Sequence, residues 1–478
     1  MIGRCLLLAF GILLQPACSS FDPYRLVDQS LLAHDPKRAD AVIEQAEKDY
    51  GSRSRLLYAM DRGMTLHLAG EYARSNEQLE KADREVERLY TRVIRTEAAA
   101  FLTNDTLLPY EGDPYEHVMI NVIKALNYAG LGQLMEALVE ARQIDHRLNL
   151  LSDRAKEKGG YRDDAFARYL SGLLYEASGD VNNAFIAYRN AYETYESTRG
   201  WSHVPPPPML RADLLRTSEA LHLSTEFEEY RRQFPDATWV SQAMQQQLAQ
   251  VVVISYNGRA PRKEDQFLDL PVSLDALQLV LLNKGVIHYS NRQPHRGADS
   301  ILYGLNGRVV RVALPRLVPQ KTQILYEEVT LAGKGGTSYA THSQLVQNTT
   351  ALAEKALAER FAGIATKAVA RAAVKFTAAE AATRGAQQAV NKDDAPWVGL
   401  AVALLTKGLA VASEESDKRS WRTLPDEIQI ARLWVPAGDY EVRVQPVGRG
   451  MGAPAAGRTR SIVLGEGETT FLIERVML

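Results

Sequence analysis

The chain has 478 residues, a formal net charge of −2, 46% hydrophobic residues and 24% charged residues. This composition is ordinary for a globular protein, and the length accommodates two to four domains. The near-neutral charge and the lack of basic stretches interleaved with aromatic residues argue against a nucleic-acid partner. The two cysteines, Cys5 and Cys18, leave no intrachain disulfide once the N-terminus is cleaved.

Residues 1–17 have the pattern of a signal peptide. Arg4 is followed by an almost entirely apolar run over residues 5–14, and the small residue Ala17 directly precedes Cys18. A charged start, an apolar run too short for a stable membrane span and a small residue at the cleavage point are typical of secretory signals. A cleaved signal is therefore predicted.

A small residue before Cys18 resembles the lipobox of bacterial lipoproteins, although Gln15 stands where leucine is usual. The resemblance implies a diacylglyceryl group on the Cys18 sulfur, with this lipid as the only covalently bound group and no other cofactor. Ser19 after the cysteine implies an outer-membrane location facing the periplasm, with residues 18–35 as an irregular lipidated tether. The alternative is an ordinary cleaved signal followed by an unmodified cysteine.

Residues 36–240 are predicted to form an all-α solenoid of tetratricopeptide-like repeats. The best copy, residues 164–193, places five residues at the repeat's offsets: Gly172, Tyr175, Ala184, Tyr188 and Ala191. Two weaker copies place Ala125, Tyr128, Ala137, Ala141 and Ile144, and Gly63, Leu66, Ser75, Leu79 and Ala82, at the same offsets. A glycine marks each turn (Gly70, Gly132, Gly179), and a fourth helical pair is expected over residues 208–232.

Stacked helical pairs of this kind usually form a curved solenoid with a concave face. The repeat residues themselves are expected in the core. Partner binding is assigned instead to other positions on the first helix of each pair: Met60, Met64, His67, Val122, Leu126, Tyr169, Leu173 and Glu176. The sequence thus predicts a groove for protein partners.

Residues 241–478 are predicted to form a mainly antiparallel β-sandwich-like domain, so that the whole chain is an α+β multidomain protein. Strands are indicated by β-branched runs such as 250–257 and 427–445, with closing hairpins expected at 436–439 and around Gly465 and Gly467. An inserted Ala-rich helical hairpin is expected at about 343–415. Its apolar segment 395–412 is interpreted as a buried helix, with a membrane-associated or membrane-spanning helix left open.

No catalytic or metal-binding pattern is present in the sequence. It contains no HExxH, CxxC or GxSxG motif, and the chain is therefore predicted not to be an enzyme. Trp421, Arg422 and Arg432 form a candidate recognition patch, because Trp and Arg are enriched at binding hot spots. The alternative is a structural corner in which Trp421 fills core and the arginines pair with Glu415 or Asp426.

Several stretches, among them ALVEARQID, VVVISYNGRAP and RSWRTLPDEIQIARLWVPAGDY, resemble a conserved family of bacterial lipoproteins with N-terminal tetratricopeptide-like repeats. The resemblance implies a lipid-anchored scaffold that binds protein partners in a cell-envelope assembly, with other small lipoproteins among the candidate partners. It names no catalytic residue. Two alternatives remain: an envelope enzyme or carbohydrate-binding subunit with its site in the β half, and a secretion or transport accessory using segment 395–412.

Overall fold

The computed structural model describes residues 23–100, 108–158, 163–271, 309–368, 415–449 and 457–477. Cys18 and segment 395–412 lie outside these ranges. The helices of the described chain are α1 (Pro23–Leu32), α2 (Pro36–Gln45), α3 (Glu47–Tyr50), α4 (Arg55–Leu68), α5 (Tyr72–Ala100), α6 (Pro114–Gly130), α7 (Leu134–Lys158), α8 (Ala165–Ala177), α9 (Val181–Ser202), α10 (Pro208–Ala220), α11 (Ser224–Gln233), α12 (Gln242–Gln245) and α13 (349–368).

The predicted helical pairs are confirmed as α4–α5, α6–α7, α8–α9 and α10–α11. The first three pairs turn at Gly70, Gly132 and Gly179, whose φ angles are 76°, 71° and 82°. These left-handed angles suit glycine, which has no Cβ to clash with the following carbonyl.

Close approach of paired helices explains the small residues of the repeat template. A Cβ atom on Gly63 would lie 2.5 Å from Leu79, and one on Gly172 would lie 2.4 Å from the ring of Tyr188. Leu79 and Tyr188 are themselves fully buried, so neither can move aside at low cost. The template residues are therefore core residues, as the sequence predicted.

The prediction of an irregular tether over residues 18–35 is wrong for α1. Val27 and Leu31 lie one helical turn apart and pack against Ala39 and Ile43 of α2 and against Met477 near the end of the chain. This satellite cluster gives α1 an apolar face to bury, which a free tether would lack.

The strands form two four-stranded sheets and one two-stranded ribbon. The first sheet has the order β10-β1-β7-β6, the second the order β5-β4-β8-β9, and β2 pairs with β3. Only β1 and β10 pair in parallel; the other described pairs are antiparallel. The strands are β1 (Leu248–Asn257), β2 (Arg262–Pro271), β3 (Val309–Val318), β4 (Ile324–Gly333), β5 (Ser338–His342), β6 (Gln344–Asn348), β7 (Glu427–Pro436), β8 (Gly438–Gly448), β9 (Arg458–Leu464) and β10 (Thr469–Val476).

Helices and sheets are stacked in three layers, with the first sheet in the middle. Val251 and Val253 of β1 pack against Val329 and Val442 of the second sheet. The alternate side chains of β1, Val252, Ile254 and Tyr256, belong to the same apolar core as the helical pairs. Strand β1 is therefore buried on both faces, which explains its continuous apolar run.

The two closing hairpins predicted near the C-terminus are instead crossings between sheets. Strand β7 lies in the first sheet and β8 in the second, and the same holds for β10 and β9. Gly438, with φ of 155°, lies at the first crossing. A hairpin within one sheet and a crossing between two sheets have the same strand–turn–strand sequence pattern. This pattern does not encode which neighbouring strand each strand pairs with.

The predicted insertion starts later than expected. Residues 344–348 form β6 of the first sheet, and α13 begins at residue 349. Ile364 and Ala368 of α13 pack against Val312 and Leu314 of β3. Residues 369–414 lie outside the described ranges.

Candidate functional site

The groove predicted from the repeats is filled by the protein's own sheet. Seven of its eight residues are buried and Glu176 is half-buried. Helices α4 and α6 contact β10, and α8 contacts β6. Because side chains covered by the sheet cannot contact a partner, the prediction of an open concave groove is wrong for this conformation.

Polar contacts reinforce this internal interface. Tyr195 Oη of α9 donates to the carbonyl of Val346 in β6 at 2.9 Å, and the rings of His67 and Tyr256 lie 5.6 Å apart. These contacts add to the apolar core that the helical half and the sandwich share.

An open cleft lies where the last helical pair meets the sandwich. It has a volume of about 780 Å³ and is lined by α10, by the segment between α11 and α12, by β5 and by β7. This size lies within the usual range for ligand sites. Its lining is both cationic and aromatic: Arg211, Arg216, Phe234, Trp239, Arg432 and Trp434.

Two arginines and two carboxylates form a buried ionic cluster at the cleft. Arg432 Nη1 donates to Asp213 Oδ2 at 2.6 Å and to Tyr169 Oη at 3.0 Å. Arg216 Nη2 donates to Asp213 Oδ1 at 2.5 Å and to Glu176 Oε2 at 2.7 Å. The two charges of each sign are thus balanced inside the protein, as buried charges require.

Glu176 and Arg432 of this cluster are held in their charged forms. Burial works against the Glu176 carboxylate, but Arg216 and then Arg432 outweigh it and lower the pKa of Glu176 to about 2. Burial likewise opposes the charge on Arg432, but Asp213 and then Tyr169 raise its pKa well above the usual value. Such groups do not exchange protons near neutral pH, so they position side chains rather than transfer protons.

Arg211 differs from the other two arginines of the cleft. Its guanidinium lies 5.6 Å from the centre of the Phe234 ring, and its Nε atom is buried without an acceptor. In the described part of the chain, no carboxylate or carbonyl accepts a hydrogen bond from Arg211. A half-buried guanidinium of this kind retains its capacity to bind an anion.

The residues predicted as a patch, Trp421, Arg422 and Arg432, do not share one exposed surface. Trp421 is buried, and its backbone N–H donates to Glu116 Oε1 at 2.8 Å. Arg432 belongs to the buried cluster, and Arg422 lies 4.1 Å from the ring centre of Tyr24. Trp421 thus fills core, as in the structural alternative, whereas the arginines contact Asp213 and Tyr24 and not Glu415 or Asp426.

The same corner fixes α1 to the body of the protein. Asp61 accepts hydrogen bonds from Tyr24 at 2.5 Å, from Tyr50 at 2.8 Å and from Thr423 at 2.8 Å. Burial raises the pKa of Asp61 to about 6, although the three hydroxyl donors act in the opposite direction. The first described helix is thus joined to residue 423 through one buried carboxyl group.

The described ranges contain neither a metal-binding cluster nor a membrane-spanning helix. No group of three or more His, Cys, Asp or Glu side chains there is placed to hold a metal ion. No helix within those ranges combines the length and the apolar character that crossing a bilayer requires. Segment 395–412 lies outside these ranges. Its interpretation as a buried helix, or as a membrane-associated or membrane-spanning one, therefore stays a prediction.

Sequence reasoning missed the cleft, because its walls come from separate parts of the chain. Asp213 and Arg432 are 219 positions apart. A local signal did exist in FPDATWV, residues 234–240, which combines two aromatic residues with a proline after a helix. Aromatic residues in an irregular segment between helices are candidates for a binding surface.

Comparisons with known proteins give only distant likenesses. No protein-family model and no curated protein matches the chain. MamA matches at 13% identity and a TM-score of 0.28, over 44% of this chain and 94% of MamA. A putative kinesin light chain with TPR-like repeats from Podosopora anserina matches at 17% and 0.30, over 45% and 92%. The Rap conjugation gene regulator of plasmid pLS20, in complex with the Phr* peptide, matches at 16% and 0.26, over 44% and 53%.

Proposed function

We propose that this chain is a lipid-anchored protein of the bacterial cell envelope that binds a partner protein in the cleft between α10 and the sandwich. The proposal rests on the cleft of about 780 Å³ as the binding surface, because β1, β6 and β10 already fill the predicted groove. The protein acts as a scaffold, but through a different surface from the one that the repeats suggest.

The position of the cleft supports a role at a distance from the anchor. Gln250 of β1 pairs with Trp434 at the cleft, and Asn257 at the other end of β1 pairs with Glu427. Arg259, just beyond that end, forms a 2.7 Å ion pair with Asp28 of α1. Since a strand rises about 3.3 Å per residue, these two ends of β1 lie about 20 Å apart, with the cleft at one end and Asp28 near the other.

The proposal includes no catalytic step. The carboxylates nearest the cleft floor, Asp213 and Glu176, are neutralised by Arg216 and Arg432. A general base needs a pKa near the working pH, and Glu176 is held far below it. Binding through the cleft explains the arrangement without an enzymatic activity.

The anchor is tested by the Cys18→Ser variant. Acyl chains contribute about 0.8 kcal/mol per buried methylene, so loss of the sulfur should move the protein from the membrane fraction to the soluble fraction of fractionated cells. Lipidation at Cys18 changes the size of the wild-type chain, and immunoblots should show that this change is absent from the variant. A variant that stays as firmly membrane-bound as the wild type would contradict the anchor.

The cleft is tested by photo-crosslinking in whole cells. A benzoylphenylalanine at Met209, which lines the cleft, should crosslink to a partner of defined mass. The matched control is the same group at Met135, which is 67% exposed on α7. Crosslinks from position 135 and none from position 209 would place the partner on the outer helical face and reject the cleft.

A further inference from the structure

Among the described residues, the charge arrangement in the cleft leaves the Arg211 guanidinium without an anion. Arg216 and Arg432 share Asp213 and Glu176 between them, whereas Arg211 has only the face of Phe234. Asp236 also lines the cleft, but it is exposed and forms no ion pair with Arg211. An acidic group on a ligand would supply the acceptor that this guanidinium lacks.

The chain on the rim of the cleft has free backbone groups. Residues 238–240 line the cleft between α11 and α12 and belong to no helix, strand or turn. None of their backbone N–H or C=O groups is hydrogen-bonded to another described residue; the last such bond before them joins Ala237 N–H to Phe234 O at 3.1 Å. Free donors and acceptors on consecutive residues match the backbone of a peptide.

The opposite wall offers an unpaired strand edge. Strand β5 lies at the edge of the second sheet, and within the described ranges it pairs with β4 alone. Its residue Thr341 lines the cleft. Open strand edges bind extended peptides through main-chain hydrogen bonds. Donors and acceptors that alternate along a strand edge match the repeat of a peptide main chain.

Aromatic side chains supply the apolar part of the site. Trp239 is held in place because its Nε1 donates to Glu219 at 2.7 Å and its ring lies edge-on to Phe227 at 5.7 Å. Trp434 lies across the cleft with its ring 5.9 Å from the Arg216 guanidinium. Rigid aromatic rings bind side chains at a low entropic cost.

From these contacts we infer that the cleft takes an extended segment of the partner protein, and that Arg211 pairs with an acidic residue of that segment. This inference rests on the proposed function and specifies the chemistry of the ligand. The segment lies between residues 238–240 and β5, and its carboxylate forms a charge-assisted hydrogen bond with Arg211.

The test is a selection from a random heptapeptide library displayed on phage, with the full chain extracted in detergent as bait. The wild-type protein should enrich peptides that carry Asp or Glu at one fixed position. Synthetic copies should bind Arg211→Gln about tenfold to a hundredfold more weakly, because one charge-assisted hydrogen bond is lost. Binding to the wild type should also weaken as salt is raised.

The matched control is Arg189→Gln. Arg189 also lies over a phenylalanine, 5.9 Å from the centre of the Phe185 ring, but it does not line the cleft. This variant should bind the selected peptides as the wild type does. Replacing the peptide's acidic residue by its amide should weaken binding to the wild type and leave binding to Arg211→Gln unchanged, as expected for a direct pair.

Each other outcome overturns the inference. Two outcomes would show that Arg211 takes no part in recognition: selected peptides without an acidic preference, and equal binding by the wild type and Arg211→Gln. If no peptide is selected and soluble cell-wall glycan fragments bind instead, the ligand is not a peptide. Crosslinking from Met209 separates these results from failure of the proposed function, because a partner captured there would keep the cleft as the binding site.

Discussion

At the scale of single residues, buried charges and rings are paired with groups from distant parts of the chain. Lys124 of α6 is nearly buried and forms ion pairs with Asp83 and Glu140 at 2.9 Å and 3.0 Å. Burial opposes its charge, but these carboxylates raise its pKa. Such clusters fix which helices and strands are neighbours, since removing one buried partner is costly. Arg211 differs from these groups, because no residue in the described ranges supplies it with a charged partner.

His67 gives a prediction on pH dependence. Its Nδ1 lies 2.6 Å from Asn127 Oδ1, and its Nε2 is buried without a partner among the described residues. Burial lowers the pKa of His67 from 6.5 to about 4, although the hydrogen bond with Asn127 acts in the opposite direction. Between these pH values the unfolded chain binds the proton and the folded chain does not, so acid destabilises the fold. Compared with His67→Phe, the wild type should lose up to about 3 kcal/mol of unfolding free energy from pH 7 to pH 4.

Urea unfolding of both proteins at a series of pH values measures this difference. Other titrating groups are shared by the two proteins, and their contributions cancel in the comparison. A difference that stays constant over the same pH range would mean that the folded protein accepts the proton on His67, in conflict with the buried, unpartnered Nε2.

At the scale of elements, the helical pairs depend on small residues at their crossing points. Gly172→Ala should destabilise the protein by about 1–3 kcal/mol, the usual cost of overpacking a core, because the new Cβ would lie 2.4 Å from the buried Tyr188 ring. Gly200→Ala in α9 is the matched control. No atom lies within 4 Å of its new Cβ, and alanine favours a helix by about 0.5–1 kcal/mol.

Thermal unfolding of the two variants distinguishes packing from helix propensity. The midpoint should fall for Gly172→Ala and should stay level or rise for Gly200→Ala. If both variants shifted in the same direction, backbone propensity rather than the Tyr188 contact would explain the glycine at 172.

At the scale of the whole molecule, the helical half and the sandwich share one apolar core. Val122 and Leu126 of α6 belong to the same buried cluster as Val252 and Ile254 of β1. The helical half alone, residues 23–247, should therefore expose an apolar face, bind the dye ANS strongly and self-associate, whereas the full chain should not. Dye fluorescence and size-exclusion chromatography measure the two properties.

The opposite result would change the view of the groove. A monomeric helical half that binds no more dye than the full chain would mean that the helices close their own concave face. The sheet would then be a removable cover instead of part of the core, and a partner could replace it.

The sequence by itself determined the local features of this protein. Helical periodicity and the turn glycines located the pairs α4–α5, α6–α7 and α8–α9, and β-branched runs located β1 and β7, because these signals depend on neighbours within a few residues. Only the tertiary structure decided that the sheet fills the groove, that β7 and β8 lie in different sheets, and that Arg211 borders a cleft. Those features depend on contacts such as Asp213 with Arg432, 219 positions apart, and no local pattern in a sequence encodes which distant residues will meet.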